Sequence, residues 1–160
     1  MIFKQKIYHH FLQLATEKVQ LLENRLNDLK ESGANETKST AGDKHETALA
    51  MVQIEQANIR EQLKEALHQL NSLNKINPAI SPSLLERVGV RSSNKIINGS
   101  LVKTNKGYFF ISIALGKAIV DEIQVIALSS NSPLGMKLMG LKVGEEAEIN
   151  SNKYLVEEIE

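Results

Sequence analysis

The sequence predicts an α+β protein, in which an N-terminal antiparallel coiled-coil hairpin precedes a small antiparallel sheet domain with one short helix. Apolar residues recur alternately three and four apart in two N-terminal stretches of nearly equal length, which is typical of paired helices. Pro78 and Pro82 then end the helical pattern. Beyond residue 94 the chain consists of short apolar runs separated by turn residues, which is typical of strands.

The first helix is predicted over residues 3–31. Polar residues occupy the faces away from its apolar seam, as expected for a helix that packs against one neighbour. From Ser32 to Gly42 the sequence is rich in Gly, Ser, Asn and Thr, and we expect the chain to reverse direction there. The seam consists of Tyr8, Leu12, Ala15, Val19, Leu22, Leu26 and Leu29.

The second helix is predicted to begin close to Asp43, because an Asp with a Glu three residues later suits a helix N-terminus. Gln56 is the single polar residue of its seam, and such a residue weakens the pairing locally but can fix register. Arms of equal length favour a hairpin within one chain, and we expect a monomer, although a heptad seam can also pair between chains. The seam consists of Leu49, Val52, Gln56, Ile59, Leu63, Ala66, Leu70 and Leu73.

The prolines place the predicted domain boundary between residues 77 and 78, so that 1–77 form the hairpin and 78–160 the sheet domain. Residues 84–87 are expected to form one helical turn. A short helix is predicted over 133–139, with Ser132 before it, Pro133 at its first position and Gly140 after it. The strands are expected within the apolar runs 95–103, 107–115, 123–128, 146–149 and 154–159.

Composition excludes several classes of function. Nineteen basic and nineteen acidic residues cancel over 160 positions, so the chain has no net charge with which to hold a nucleic acid backbone. The absence of cysteine excludes disulfides, thiolate nucleophiles and Cys-ligated zinc. No apolar stretch has the length of a signal peptide or membrane helix. We therefore expect a cytoplasmic protein that does not enter a membrane.

Candidate functional residues are few. No glycine-rich phosphate loop or Ser/His/Asp pattern occurs, and the adjacent His9 and His10 are interpreted as surface residues, because neighbouring positions point to different sides of a helix. Asp43 and Glu46 allow two interpretations. Their spacing suits helix capping, and their position at the turn of a long hairpin also suits oxygen ligands for a divalent cation such as Mg²⁺.

The segment from Gly42 to Ala48 resembles the tip motif of the Gre-type bacterial transcript cleavage factors, G-D-x-x-E-N-A. The resemblance continues at Glu55, Gln56 and Glu61 and covers nearly the whole chain. In the C-terminal half, Ser132 to Glu148 is similar to the family's S-P-x-x-x-x-L-x-G-K-x-x-G-D segment. The chain differs from the family's motifs at Lys44, His45, Thr47, Leu141 and Glu145 and in the long polar turn from Gly33 to Gly42.

The resemblance implies an FKBP-like fold for the C-terminal half and a function in transcription elongation. A factor of this family enters the secondary channel of bacterial RNA polymerase, close to the 3′ end of backtracked RNA. There Asp43 and Glu46 would help to hold the second catalytic Mg²⁺, so that the polymerase cleaves the RNA. The factor would be a cofactor of the polymerase and not itself an enzyme.

Two further functions remain open. A secondary-channel regulator could bind polymerase without stimulating cleavage. A prolyl isomerase or peptide-binding module is suggested only by the FKBP-like resemblance. The aromatic residues Tyr108, Phe109 and Phe110 are consecutive, so a strand would divide them between its two faces and leave little to line one apolar pocket with Tyr154.

Overall fold

The computed structural model describes residues 3–36, 43–76 and 95–160. The predicted α+β class is confirmed: a long helical hairpin precedes a six-stranded sheet with a short helix. The chain groups into two compact units, one made of Met1–Gln13 with Ser72–Glu160 and the other of Leu14–Asn71. The elements are α1 (Phe3–Glu36), α2 (Asp43–Asn74), β1 (Leu101–Thr104), β2 (Gly107–Ser112), β3 (Gly116–Val120), β4 (Ile123–Ser129), α3 (Pro133–Leu138), β5 (Glu146–Ile149) and β6 (Asn152–Ile159).

Within Leu14–Asn71, α1 and α2 pair through the predicted seam. An ion pair joins Arg25 to Glu55 at 3.4 Å. The side chain of Gln56 donates to the carbonyl oxygen of Leu29, and Gly33, further along α1, lies beside Val52, which comes earlier on α2, so the two helices run antiparallel. The buried centre of the seam consists of Val19, Leu22, Leu26, Ile59 and Ala66, with Leu29, Leu63 and Leu70 packed against it.

Helix α1 continues to Glu36, five residues beyond the predicted end at residue 31. The predicted turn from Ser32 to Gly42 was therefore too long at its start, and residues 37–42 lie outside the described part of the chain. Gly33 is buried. It lies four residues after Leu29 and therefore occupies the next seam position. Packing of this position against Val52 outweighs the low helix propensity of glycine.

The six strands lie in the order β3-β4-β2-β1-β6-β5. The sheet is mixed, and the prediction of a wholly antiparallel sheet was wrong for one pair: β2 and β4 are parallel, with Tyr108 opposite Val125 and Ser112 opposite Ser129. The reason is that β3 intervenes in sequence and forms a hairpin with β4, which returns the chain in the direction of β2.

Strand β3 was not predicted, because glycine at position 116 favours a turn and Lys117 interrupts the apolar pattern. The β3–β4 hairpin closes through Asp121 and Glu122, whose φ angles of 49° and 64° are both positive. This two-residue turn lacks the Asn-Gly or Asp-Gly pair that makes such hairpins recognisable in a sequence. Pairing with β4 over the whole length of β3 therefore decides its structure.

The predicted run 95–103 becomes a strand only from Leu101 onward. A turn with Gly99 at φ +91° precedes the strand, and the backbone N–H of Ile97 donates to the hydroxyl oxygen of Ser100. Ile96 is fully buried and exchanges backbone hydrogen bonds with Leu141 and Gly140. The first half of the run thus forms backbone hydrogen bonds with the segment after α3 instead of extending β1.

Helix α3 has the predicted start. The hydroxyl oxygen of Ser132 accepts the backbone N–H of Gly135 at 3.0 Å, and Pro133 occupies the first turn. A Cβ atom at Gly135 would lie 2.0 Å from the carbonyl oxygen of Ser129, so no other residue fits here without a backbone shift. The helix ends at Leu138, one residue earlier than predicted, and Gly140 follows with φ +83°.

One face of the sheet packs against α3. Phe109 contributes to this core and meets the ring of Tyr154 edge-on, with centroids 5.9 Å apart. The buried residues of this core are Ile96, Val102, Phe109, Ile111, Leu138, Ala147 and Val156.

The other face of the sheet is covered by residues at the start of α1. Phe110 points opposite to Phe109, because successive residues of a strand alternate between faces. Its ring stacks on that of Phe11 at a centroid distance of 6.1 Å, and Phe3 meets Tyr108 edge-on at 5.9 Å. The predicted boundary between residues 77 and 78 lies outside the described residues, whereas the compact unit itself combines Met1–Gln13 with Ser72–Glu160.

We predict that Phe11→Ala lowers the free energy of unfolding by about 3–5 kcal/mol, because the side chain is fully buried against the sheet. Urea denaturation followed by circular dichroism measures this loss. Leu21→Ala, at a position of α1 that is 60% exposed, is the control and should change stability by less than about 0.5 kcal/mol. A loss for Phe11→Ala as small as that expected for Leu21→Ala would show that the sheet is stable without packing by the start of α1.

Candidate functional site

The two predicted site residues lie in the first turn and a half of α2. Asp43 is the first residue of the helix and Glu46 the fourth, as the sequence predicted. The side chains of both residues lie outside the described part of the structure, as do the side chains of Lys44 and His45. Neither metal binding nor capping by Asp43 and Glu46 is therefore tested, and both interpretations stay predictions.

Only a short connection separates Asp43 from the end of α1. Helix α1 ends at Glu36, so six residues separate the two helices. Helices of 34 and 32 residues correspond to lengths of about 50 Å each. The start of α2 is consequently remote along the helix from its C-terminal end.

A group of polar contacts surrounds Gln56, the polar residue of the seam. Gln56 Nε2 donates to the carbonyl oxygen of Leu29 at 3.2 Å, and Arg60 Nη2 donates to Gln56 Oε1 at 3.4 Å. Arg25 pairs with Glu55 beside them. Both members of that ion pair are about half exposed, so the pair contributes little stability, roughly 0–1 kcal/mol.

The remaining sequence candidates have ordinary structural surroundings. His9 Nδ1 lies 2.7 Å from the carbonyl oxygen of Gln5 in the preceding turn, and the ring of His10 meets that of Phe11 edge-on. His68 is exposed on α2. Among the residues that the structure describes, no three His, Asp or Glu side chains are grouped as metal ligands would be.

The segment that carries the C-terminal resemblance has structural contacts. Glu145 Oε2 accepts the backbone N–H of Lys142 at 2.8 Å, and Gly144, which lies within this turn, has φ +88°. Leu138 is fully buried in the core beneath α3. The carboxylate of Glu145 thus stabilises the turn before β5.

Two groups at the start of α1 have perturbed pKa values. Burial lowers the pKa of Lys4, and the nearby carboxylate of Glu160 partly opposes that shift. Burial also raises the pKa of Tyr8. Both residues belong to the unit that contains the sheet. Perturbed pKa values can mark catalytic groups, but here desolvation of the two side chains by burial accounts for them.

No family model, curated protein or solved structure was found to match the chain. Within the described ranges 3–36, 43–76 and 95–160, neither long helix is apolar enough to cross a lipid bilayer.

The aromatic residues of the sheet pack in the cores on its two faces. Phe109 is buried against Tyr154 on the α3 face, and Phe110 against Phe11 on the other face. We therefore predict that the protein does not accelerate prolyl isomerisation in a peptide assay, because these rings do not converge on one substrate. A rate above the uncatalysed rate that depends linearly on protein concentration would contradict this prediction.

Proposed function

We propose that this protein is a transcription elongation factor that binds bacterial RNA polymerase through its secondary channel and stimulates cleavage of backtracked RNA. The observation that supports the proposal most is the position of Asp43 and Glu46 at the start of α2, directly after the six-residue connection of a long helical hairpin. The resemblance of Gly42 to Ala48 to the tip motif of Gre-type factors provides the functional interpretation of that position.

The carboxylate oxygens of Asp43 and Glu46 are suitable ligands for the proposed metal. Mg²⁺ prefers carboxylate oxygens and commonly takes one or two from a protein, with water or phosphate as its other ligands. Positions three apart lie on the same side of a helix, so Asp43 and Glu46 can bind one ion together. Two carboxylates alone hold Mg²⁺ weakly, and the polymerase active site and its RNA would supply the remaining ligands.

In this proposal the protein contributes charge and position. The bound ion would lower the pKa of a water molecule and stabilise charge on the phosphate that is cleaved. The carboxylates of Asp43 and Glu46 would hold that ion next to the 3′ segment of the RNA. The hydrolysis belongs to the polymerase, and the factor would act in the cytoplasm as a monomer with no enzymatic activity of its own.

The test replaces both acids by their neutral isosteres. In the double variant Asp43→Asn, Glu46→Gln, cleavage of backtracked RNA by purified polymerase should fall by about two orders of magnitude or more, because the ion loses two of its anionic ligands. Affinity for polymerase should change by less than about threefold, since a helix tolerates Asn at its N-terminus as well as Asp. Gel-resolved RNA cleavage and a competition binding assay measure the two effects.

Helix α1 offers a matched control. Asp28 and Glu31 have the same Asp-x-x-Glu spacing, and both residues are exposed. Asp28→Asn, Glu31→Gln removes the same charge from the same hairpin and should leave cleavage unchanged. Parental cleavage by the variant at positions 43 and 46 would return these two acids to the capping role. A protein that then still binds polymerase would be a secondary-channel regulator that does not stimulate cleavage.

A further inference from the structure

Gln56 interrupts the apolar seam of α2, and its half-buried amide has partners at both ends. Its Nε2 donates to the carbonyl oxygen of Leu29 on the opposite helix at 3.2 Å. Its Oε1 accepts from the guanidinium of Arg60, one turn further along α2, at 3.4 Å. The two contacts orient the amide, with its NH₂ group directed at α1.

The acceptor on α1 is a backbone atom in a helix interior. The carbonyl of Leu29 faces the backbone N–H of Gly33 in the regular helical pattern, and a carbonyl oxygen has a second lone pair for another donor. The amide of Gln56 therefore adds a hydrogen bond between the helices without replacing one within α1.

Gly33 lies beside this contact. A Cβ atom at this position would lie 3.4 Å from Val52 Cγ1 and 3.9 Å from Gln56 Nε2. Glycine in a helix interior costs about 1 kcal/mol relative to alanine. Both distances are ordinary van der Waals contacts, so a Cβ atom can be added at position 33 without displacing the amide of Gln56.

The apolar contacts of the seam do not define register as sharply. Residues such as Leu26, Ile59 and Leu63 gain by burial regardless of which apolar neighbour they meet. A shift by one seam position leaves many of these residues opposite other apolar side chains. A hydrogen bond depends on distance and angle, and a slide of one residue, about 1.5 Å, would break the contact between Gln56 and Leu29.

We propose that Gln56 is a positioning residue, whose hydrogen bond to Leu29 fixes the register of the two helices and thereby the axial position of Asp43 and Glu46. The two acids precede Gln56 by about three to four turns of the continuous helix α2, so a displaced register at Gln56 displaces them as well. The importance of that displacement for cleavage rests on the proposed function, whereas the control of register by Gln56 does not.

The substitution Gln56→Met tests the proposal. Methionine has a similar length and flexibility but no N–H donor. We expect an unchanged or higher melting temperature, because an apolar side chain replaces a polar one in the seam. At saturating factor, RNA cleavage should fall by about 10- to 100-fold, as expected when catalytic groups are misplaced by an ångström or more. The concentration that gives half-maximal stimulation should stay within about threefold.

The control is Gln53→Met, which makes the same chemical change at an exposed position one turn earlier on α2. It should leave both cleavage and melting temperature at parental values. A loss of cleavage in both variants would contradict the proposal, because it would show that an added methionine on α2 is harmful wherever it lies.

Register itself can be measured without polymerase, because the chain contains no cysteine and paired cysteines can be introduced without background. One double variant carries Gly33→Cys with Val52→Cys, which match the observed register. The other carries Gly33→Cys with Leu49→Cys, one seam position away. With Gln56 present, the first pair should form its disulfide at least about tenfold faster. With Gln56→Met, this preference should shrink to less than about threefold.

Each result decides a separate statement. An unchanged cross-linking preference in Gln56→Met shows that the seam sets register without the amide, which overturns the proposal. A lost preference with full cleavage overturns the positioning role for the two acids. Failure of the parent protein to stimulate cleavage contradicts the proposed function, and the cross-linking comparison still determines whether Gln56 controls register.

Discussion

The sheet has two apolar faces, and the need to cover both of them explains the organisation of the C-terminal unit. Phe109 and Phe110 are adjacent in β2 and both are buried, so each face requires its own layer. Helix α3 covers the face of Phe109, and Phe11 at the start of α1 stacks on Phe110. Full burial of a side chain of this size contributes about 1.5–3 kcal/mol, and exposure of this face would therefore be costly. The start of α1 thus belongs to the core of the sheet.

Helix α1 consequently packs in two different environments along its 34 residues. Ile7 and Phe11 are fully buried in the unit that contains the sheet, whereas Val19, Leu22 and Leu26 form the seam with α2. The seam supplies stability through burial, and in our proposal the hydrogen bond from Gln56 to Leu29 fixes the register of the two helices. This division is physically reasonable, since burial is non-directional and hydrogen bonds are not.

The candidate site illustrates what a sequence motif and a backbone can establish together. The Asp-x-x-Glu pattern predicted a helix start near Asp43, and α2 begins at that residue. The same pattern cannot distinguish a cap from a metal ligand, because a carboxylate at a helix N-terminus suits both roles. The distinction depends on a partner that completes the coordination of the ion, and the chemistry of that partner lies outside this chain.

The sequence by itself determined the elements that follow local rules. The heptad seams, the start of α2 and the Ser132 cap of α3 depend on residues three or four positions apart, so the pattern contains the necessary information. Tertiary structure decided three other features. Helix α1 extends through Gly33 because Val52 packs there, β3 forms because β4 pairs with it, and β2 and β4 are parallel because that hairpin reverses the chain. In each case the deciding contact joins residues that are distant in sequence, which local propensity does not encode.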